Sequence, residues 1–255
     1  MRLKTLIAMA TWFIAALIPV TGNTATPVVL VQHNEQFYGY MTLPRLSEVV
    51  VTVNKVPALY WPAGRLYKTN PDVVAYLESQ RQDLLQSLNN LQQYYLQDQQ
   101  LELANSVEHV KNQIKTWILA QQQMLPLDPD RVRAKQALNP RLLAGQYLLQ
   151  VDSRPGSLSV VGFTETTQLE LMNATDASDY IKLMIPMVGA STSFLYILPA
   201  TSSPILAQTG LWNQKRQDVP AGAVLFVPFE QRLLPAEFDE LNQQVVELLQ
   251  HRVVL

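Results

Sequence analysis

Hydrophobic and polar positions change their spacing several times along this chain of 255 residues, and each change predicts a different element. Arg2 and Lys4 precede an apolar run from Thr5 to Val20, followed by small or polar residues from Thr21 to Thr26. This is the three-part pattern of a secretory signal peptide over residues 1–22, with cleavage expected after Gly22 or Ala25. About 16 apolar residues interrupted by Pro19 fall short of the roughly 20 that a spanning helix requires. Val28–Val31 and Phe37–Tyr40, on either side of a turn around His33-Asn34-Glu35, predict a hairpin. Arg45–Val53 fits a short helix or another strand, its valine-rich run favouring the strand.

Residues 70–123 differ sharply: they are rich in Gln and Leu, and no Gly or Pro follows Pro71. Asn70 is placed to cap a helix, with Pro71 at its first position and Asp72 at its positive end. Leu77, Leu84 and Leu91 recur every seven residues, and Leu103, Val107, Val110, Ile114 and Trp117 step by four, three, four and three, as coiled-coil seams do. One continuous helix would be about 80 Å long, so a break at Gln97-Asp98-Gln99-Gln100 is expected. The result is an antiparallel hairpin, packed within the chain or pairing between chains. Pro126–Pro140 reads as irregular. A strand over Gln146–Val151 returns to the first domain, and Arg154-Pro155-Gly156 marks the boundary.

Beyond it, Leu158–Phe163 and Gln168–Leu171 predict a second hairpin, and Asp176–Ile185 a helix capped by Thr175 or Asp176. Strands at Ser193–Leu198, Ile205-Leu206 and Ala223–Val227 follow. The end of the chain predicts an amphipathic helix, with Phe238, Leu241, Val245, Leu248 and Leu249 on one face and Glu237, Asp239, Glu240, Gln243, Gln244 and Glu247 elsewhere. Nineteen helical residues reach about 28 Å, barely the hydrocarbon core of a bilayer. The acidic polar face also departs from the lysine-rich pattern of interfacial helices. Packing on the protein's own domains or on a partner is therefore favoured over a membrane-facing role. These patterns alone support two small α+β domains.

Three short signatures add to them: Tyr60-Trp61-Pro62-Ala63-Gly64; Leu127-Asp128-Pro129-Asp130 with Arg133 following; and Leu211-Trp212-Asn213, Val219-Pro220-Ala221-Gly222, Ala223–Phe229 and Leu233-Leu234-Pro235 before the last helix. None is specific alone. In this order and spacing they resemble the GfcC-like family of capsule-polysaccharide biosynthesis proteins, over nearly the whole chain after the leader. The resemblance implies a periplasmic accessory to polysaccharide export. Its fold would be two β-grasp (ubiquitin-like) domains at 23–152 and 153–232, the first carrying the helical hairpin over 70–123 packed on its own domain, with the amphipathic helix at 233–255. The β-grasp arrangement places a helix over Arg45–Val53. The second domain resembles the SLBB-like modules of the Wza-type outer-membrane export channel, where a terminal amphipathic helix forms a membrane barrel; outer-membrane association and export or assembly proteins as partners are the corresponding expectations.

Composition narrows the chemistry. The chain has no cysteine, hence no disulfide and no lipidation site of the bacterial lipobox kind, and about 230 residues after the leader suffice for one or two self-sufficient cores. A net charge of −2 argues against nucleic acid and gives no pull toward anionic lipid. His33, His109 and His251 are too scattered for a metal motif, no Gly-x-Ser-x-Gly elbow occurs, and no cofactor is expected. Asp128 and Asp130 are the best case for an enzyme, since glycoside hydrolysis uses paired carboxylates. Adjacent Arg131 and Arg133 would oppose a raised pKa, so a turn or helix cap is the preferred reading. Trp61, Trp212, Asn213, Arg131 and Arg133 have the aromatic and planar donor groups of a sugar site, and arginine suits an acidic polysaccharide. Packing of both tryptophans is the competing reading. The family's pocket arginine, expected just before Leu127-Asp128-Pro129-Asp130, has no counterpart in Gln121–Pro126.

Overall fold

The computed structural model describes residues 26–54 and 58–254; the expected leader and its cleavage point lie outside them. Strand β1 (Val29–His33) turns through Asn34, at φ 53°, into β2 (Gln36–Tyr40). Helix α1 (Leu46–Val53) buries Leu46, Val49, Val50 and Val53. Those four positions share one face only at the helical period, which is why the valine-rich run is a helix. After a 3₁₀ turn at Trp61–Ala63 comes β3 (Arg65–Lys68). Helices α2 (Pro71–Gln97) and α3 (Leu101–Lys115) form the hairpin, reversing where Gln99 takes φ 58°. Asn70 does not cap α2: its Oδ1 accepts the amide of Gln146, 2.9 Å away, and so ties the helix start to the sheet.

The chain then adds β4 (Gln121–Gln123), the short helix α4 (Pro129–Ala134) and β5 (Gly145–Gln150). The five strands lie in the order β2-β1-β5-β3-β4, with β1 and β5 parallel and the other pairs antiparallel. Strands β3 and β4 were not visible as strands in the sequence. β4 also takes the last residues of the segment expected to be wholly helical.

The second half repeats the plan. Strands β6 (Ser157–Gly162) and β7 (Gln168–Glu170), helix α5 (Ala177–Lys182), and strands β8 (Phe194–Leu198), β9 (Ile205–Gln208) and β10 (Val224–Val227) assemble in the order β7-β6-β10-β8-β9. Asp176 caps α5 by accepting the Ser178 amide at 2.9 Å, and its other oxygen takes the Gln217 amide at 2.6 Å. In both sheets the first and last strands are parallel neighbours at the centre. A hairpin, a helix across one face and three further strands in this order make each a β-grasp domain, and the fold is α+β.

The hairpin packs mainly on the second domain and touches the domain that carries it chiefly at β4. Leu77, Leu84, Leu91, Val107, Val110 and Ile114 join Val161, Phe163, Val224 and Phe226 in one core, so α2 and α3 cover the outer face of the second sheet. Leu158, Val160, Leu225 and Val227 point the other way, toward α5. Two buried faces explain why Val224-Leu225-Phe226-Val227 is apolar throughout rather than alternating. The aromatic contact of Phe163 with Phe229, 4.7 Å edge-to-face, continues to Tyr95 at 5.9 Å. Tyr95 donates to the Leu233 carbonyl at 2.7 Å, and burial pushes its hydroxyl up to about 12.

The terminal helix is shorter than expected. Helix α6 covers Leu241–Leu249, after a 3₁₀ turn at Ala236–Phe238, a length of about 14 Å. Asn242 fixes its start by exchanging both hydrogen bonds, each 2.8 Å, with the backbone of Phe229. Its end is set by the tail, which runs extended beside residues 118–120: Ala120 N–H donates to the His251 carbonyl at 2.9 Å and Val253 N–H to Ile118 at 2.8 Å. Val253 packs against Tyr67 and Ala120 on the outer face of the first sheet. The chain thus leaves the second domain and straps back onto the first. Among the described residues no helix is long and apolar enough to cross a membrane.

Candidate functional site

Three of the signature segments meet at the junction of the domains. The Trp-Pro-Ala loop sits in a 3₁₀ turn just before β3, where Trp61 is only 7 % exposed and donates its indole N–H to Asn54 at 3.0 Å. Asp128 opens α4 as its cap, one oxygen accepting the amides of Asp130 at 3.0 Å and Arg131 at 3.1 Å. From the second domain, the Val219–Gly222 turn closes against this surface. Gly222 has φ +79° and lies so near Ala63 that a Cβ there would stand 2.4 Å from the Ala63 Cβ. Only glycine admits that approach.

Arg65 and Gln122 secure the contact from β3 and β4. The Arg65 guanidinium, in a residue 5 % exposed, donates to Gln122 Oε1 at 3.1 Å, to the Gly222 carbonyl at 2.8 Å and, more weakly, to the Leu198 carbonyl at 3.5 Å. Gln122 in turn donates to the Ala200 carbonyl. Burial lowers the Arg65 pKa, and among the described residues no carboxylate pairs with it. Carbonyl dipoles of the second domain therefore take the place of a counter-ion.

Beside this lock a cleft of about 560 Å³ opens between the domains, lined by Tyr60, Trp61, Asp128 and Arg131 of the first, Arg154 of the connection, and Asn173, Ser202, Gln217 and Asp218 of the second. Arg154 is held in place: its guanidinium lies 5.6 Å from the centre of the Tyr60 ring and donates to Asn173 Oδ1 at 3.0 Å. Arg131 makes no side-chain hydrogen bond or ion pair with any described residue. The acidic groups in the cleft are partly engaged, Asp128 by the backbone of α4 and Asp218 by Arg216 at 3.3 Å.

The expected site residues are thus divided. Trp61 and Arg131 come to the cleft, though Trp61 packs beneath it instead of offering a face. Arg133 is exposed on α4 and does not line it. Trp212 and Asn213 form a separate turn, where Asn213 donates to the Ser193 carbonyl at 3.4 Å and Trp212, 78 % exposed beside Leu211 at 97 %, rests edge-on against Phe194. Phe238, Leu241, Val245, Leu248 and Leu249 are all buried in the core shared with the hairpin, so they face neither a membrane nor a partner. Asp128 serves as a cap. Among the described residues no group of three or more His, Asp or Glu side chains could hold a metal ion. Arg65, Gln122, Tyr60, Arg154 and Asn173 were missed as site residues; Arg154 read only as part of a linker, while Tyr60 lay inside a quoted signature.

Comparison with known proteins agrees with the architecture. Residues 23–154 match the family described as "Capsule biosynthesis GfcC, N-terminal" and residues 151–254 match "Capsule biosynthesis GfcC C-terminal". The chain is also similar to "Uncharacterized protein YjbG" of Escherichia coli (strain K12), 22 % identical over 151 residues. That match covers 59 % of this chain and 61 % of the relative's length. Both halves of the chain are matched in order, and the chain belongs to the capsule biosynthesis GfcC family.

Proposed function

We propose that this protein is a periplasmic, non-enzymatic accessory in the biosynthesis or export of a capsule or exopolysaccharide, and that it holds a segment of glycan in the cleft between its two β-grasp domains. The observation that carries this reading is the cleft itself. It is walled by segments of all three signatures that carry the family resemblance, and its volume of about 560 Å³ falls in the range of small-ligand sites. Its lining is rich in planar hydrogen-bonding groups, Arg131, Arg154, Asn173 and Gln217, of the kind that recognise sugar hydroxyls and carboxylates. A leader at residues 1–22 would deliver the protein to the compartment where such polymers are assembled.

The test is genetic and quantitative. A strain lacking the protein loses surface polysaccharide, and the wild-type gene restores it. The double substitution Arg131→Ala, Arg154→Ala yields a folded protein that restores it poorly. Unchanged polysaccharide in the deletion strain would overturn the assignment to this pathway. Full restoration by the double variant would overturn the role of the cleft.

A further inference from the structure

Resting on that reading, we infer that the cleft selects a saccharide carrying an anionic group, a uronate carboxylate or a phosphate, which bridges the guanidinium groups of Arg131 and Arg154. Sugar sites that accept neutral glycans commonly present an exposed aromatic face, against which the apolar face of the ring stacks. This cleft offers little of one. Trp61 is buried with its N–H taken by Asn54, and Tyr60 has its ring engaged by the Arg154 guanidinium 5.6 Å away. Trp212, the indole that is exposed, does not line the cleft. Recognition there falls to polar groups.

Both arginines are left to a ligand by the acids that share the cleft with them. One oxygen of Asp128 accepts two amides at the start of α4, and Asp218 pairs with Arg216 instead of with either cleft arginine. Neither arginine has an acidic partner among the described residues. Arg154 is also oriented before any ligand arrives, by Asn173 at 3.0 Å and by the Tyr60 ring. An oriented guanidinium offers a planar pair of donors that matches a carboxylate or phosphate and loses little side-chain freedom on binding. Arg131 supplies a second cation from the first domain, so an anion shared with Arg154, which Asn173 of the second domain holds, lies across the junction.

Binding to the folded full-length protein is measured by calorimetry and NMR titration with three probes. They are a tetrasaccharide alternating glucuronate and N-acetylglucosamine, the same molecule with its carboxylates reduced to alcohols, and a neutral glucose oligomer bearing one phosphate. The expected result is binding of a charged probe, weaker in high salt, with the reduced probe at least tenfold weaker. Arg131→Ala and Arg154→Ala each cost about ten- to a hundredfold in affinity, the range of one charge-assisted hydrogen bond. Which charged probe binds tells carboxylate from phosphate. Equal binding of the reduced tetrasaccharide, or unchanged affinity in both variants, overturns selection of an anion while leaving the cleft as a glycan site. Binding of none of the three overturns the cleft reading together with this inference.

Discussion

Replacing Arg65 with alanine tests whether the two domains behave as one body. The side chain donates to Gln122 Oε1 at 3.1 Å and to the Gly222 carbonyl at 2.8 Å, with a third, long contact to Leu198 at 3.5 Å. Two sound bonds from a charged donor contribute about 1.5–3 kcal/mol each. Their loss also leaves buried acceptors without a partner. Against this, the variant no longer desolvates a guanidinium that lacks a counter-ion, a cost of several kcal/mol that the folded protein bears now. The balance expected is a loss of about 3 kcal/mol, which for a chain of this size lowers Tm by about 6–12 °C. Since the contacts span the junction, scanning calorimetry should show one transition for the wild type and two for the variant. Arg65→Lys falls between, because a point-like ammonium cannot fork across two acceptors. A melting profile of Arg65→Ala within about 1 °C of wild type and still in one transition would refute the argument.

Other substitutions probe the same architecture. Gly222→Ala forces a Cβ to 2.4 Å from that of Ala63 at a left-handed φ of +79°, and should cost about 2–4 kcal/mol by denaturant unfolding, whereas Gly156→Ala, with nothing within 4 Å, serves as the neutral control. Asn242→Ala removes both partners of the Phe229 backbone and should lower the denaturation midpoint by the equivalent of about 2–3 kcal/mol with little change in slope. His251 accepts the Gln122 amide through Nδ1 at 3.2 Å, and burial holds its pKa below 6.5, so the unfolded chain takes up the proton first. Its contribution is therefore complete above about pH 6.5 and declines as pH falls through the folded value, and His251→Gln should flatten stability against pH in that window. An unchanged slope in the variant would remove His251 from the account.

Much of the fold was legible because its signals are periodic. Leu77, Leu84 and Leu91, with the Leu103–Ile114 seam, mark the hairpin, and the polar Gln97–Gln100 break falls where α2 ends at Gln97 and α3 begins at Leu101. Strands β3 and β4 were illegible for the opposite reason. Arg65-Leu66-Tyr67-Lys68 is too short to display alternation, and Gln121-Gln122-Gln123 has no β propensity to display. Both exist because β5 and β3 offer them paired edges, a tertiary cause. The last helix was overextended because an amphipathic pattern reports which side chains are buried, not where backbone partners end the helix; Asn242 and the tail pairing with residues 118–120 decide that.

The candidate site was harder to read, and the reason lies in what a sequence can say about polar residues. A tryptophan in a Trp-Pro-Ala-Gly loop invites a binding role, yet Trp61 has its N–H satisfied by Asn54 and serves as the floor of the first domain. An arginine in a four-residue strand invites no role, yet Arg65 is the residue by which the first domain grips the second, using carbonyls at Leu198 and Gly222 more than 130 positions away. Nothing local distinguishes an arginine bound for carbonyls of another domain from one bound for water. The same long-range closure makes the cleft, since Arg131 and Arg154 acquire a common ligand space only once Gly222 lets the domains approach at Ala63. The proposed function is thus tied to the junction. A substitution that loosens Arg65 or crowds Gly222 should weaken whatever the cleft holds without touching a lining residue, and one that spares the junction but removes Arg131 should weaken it with the fold intact.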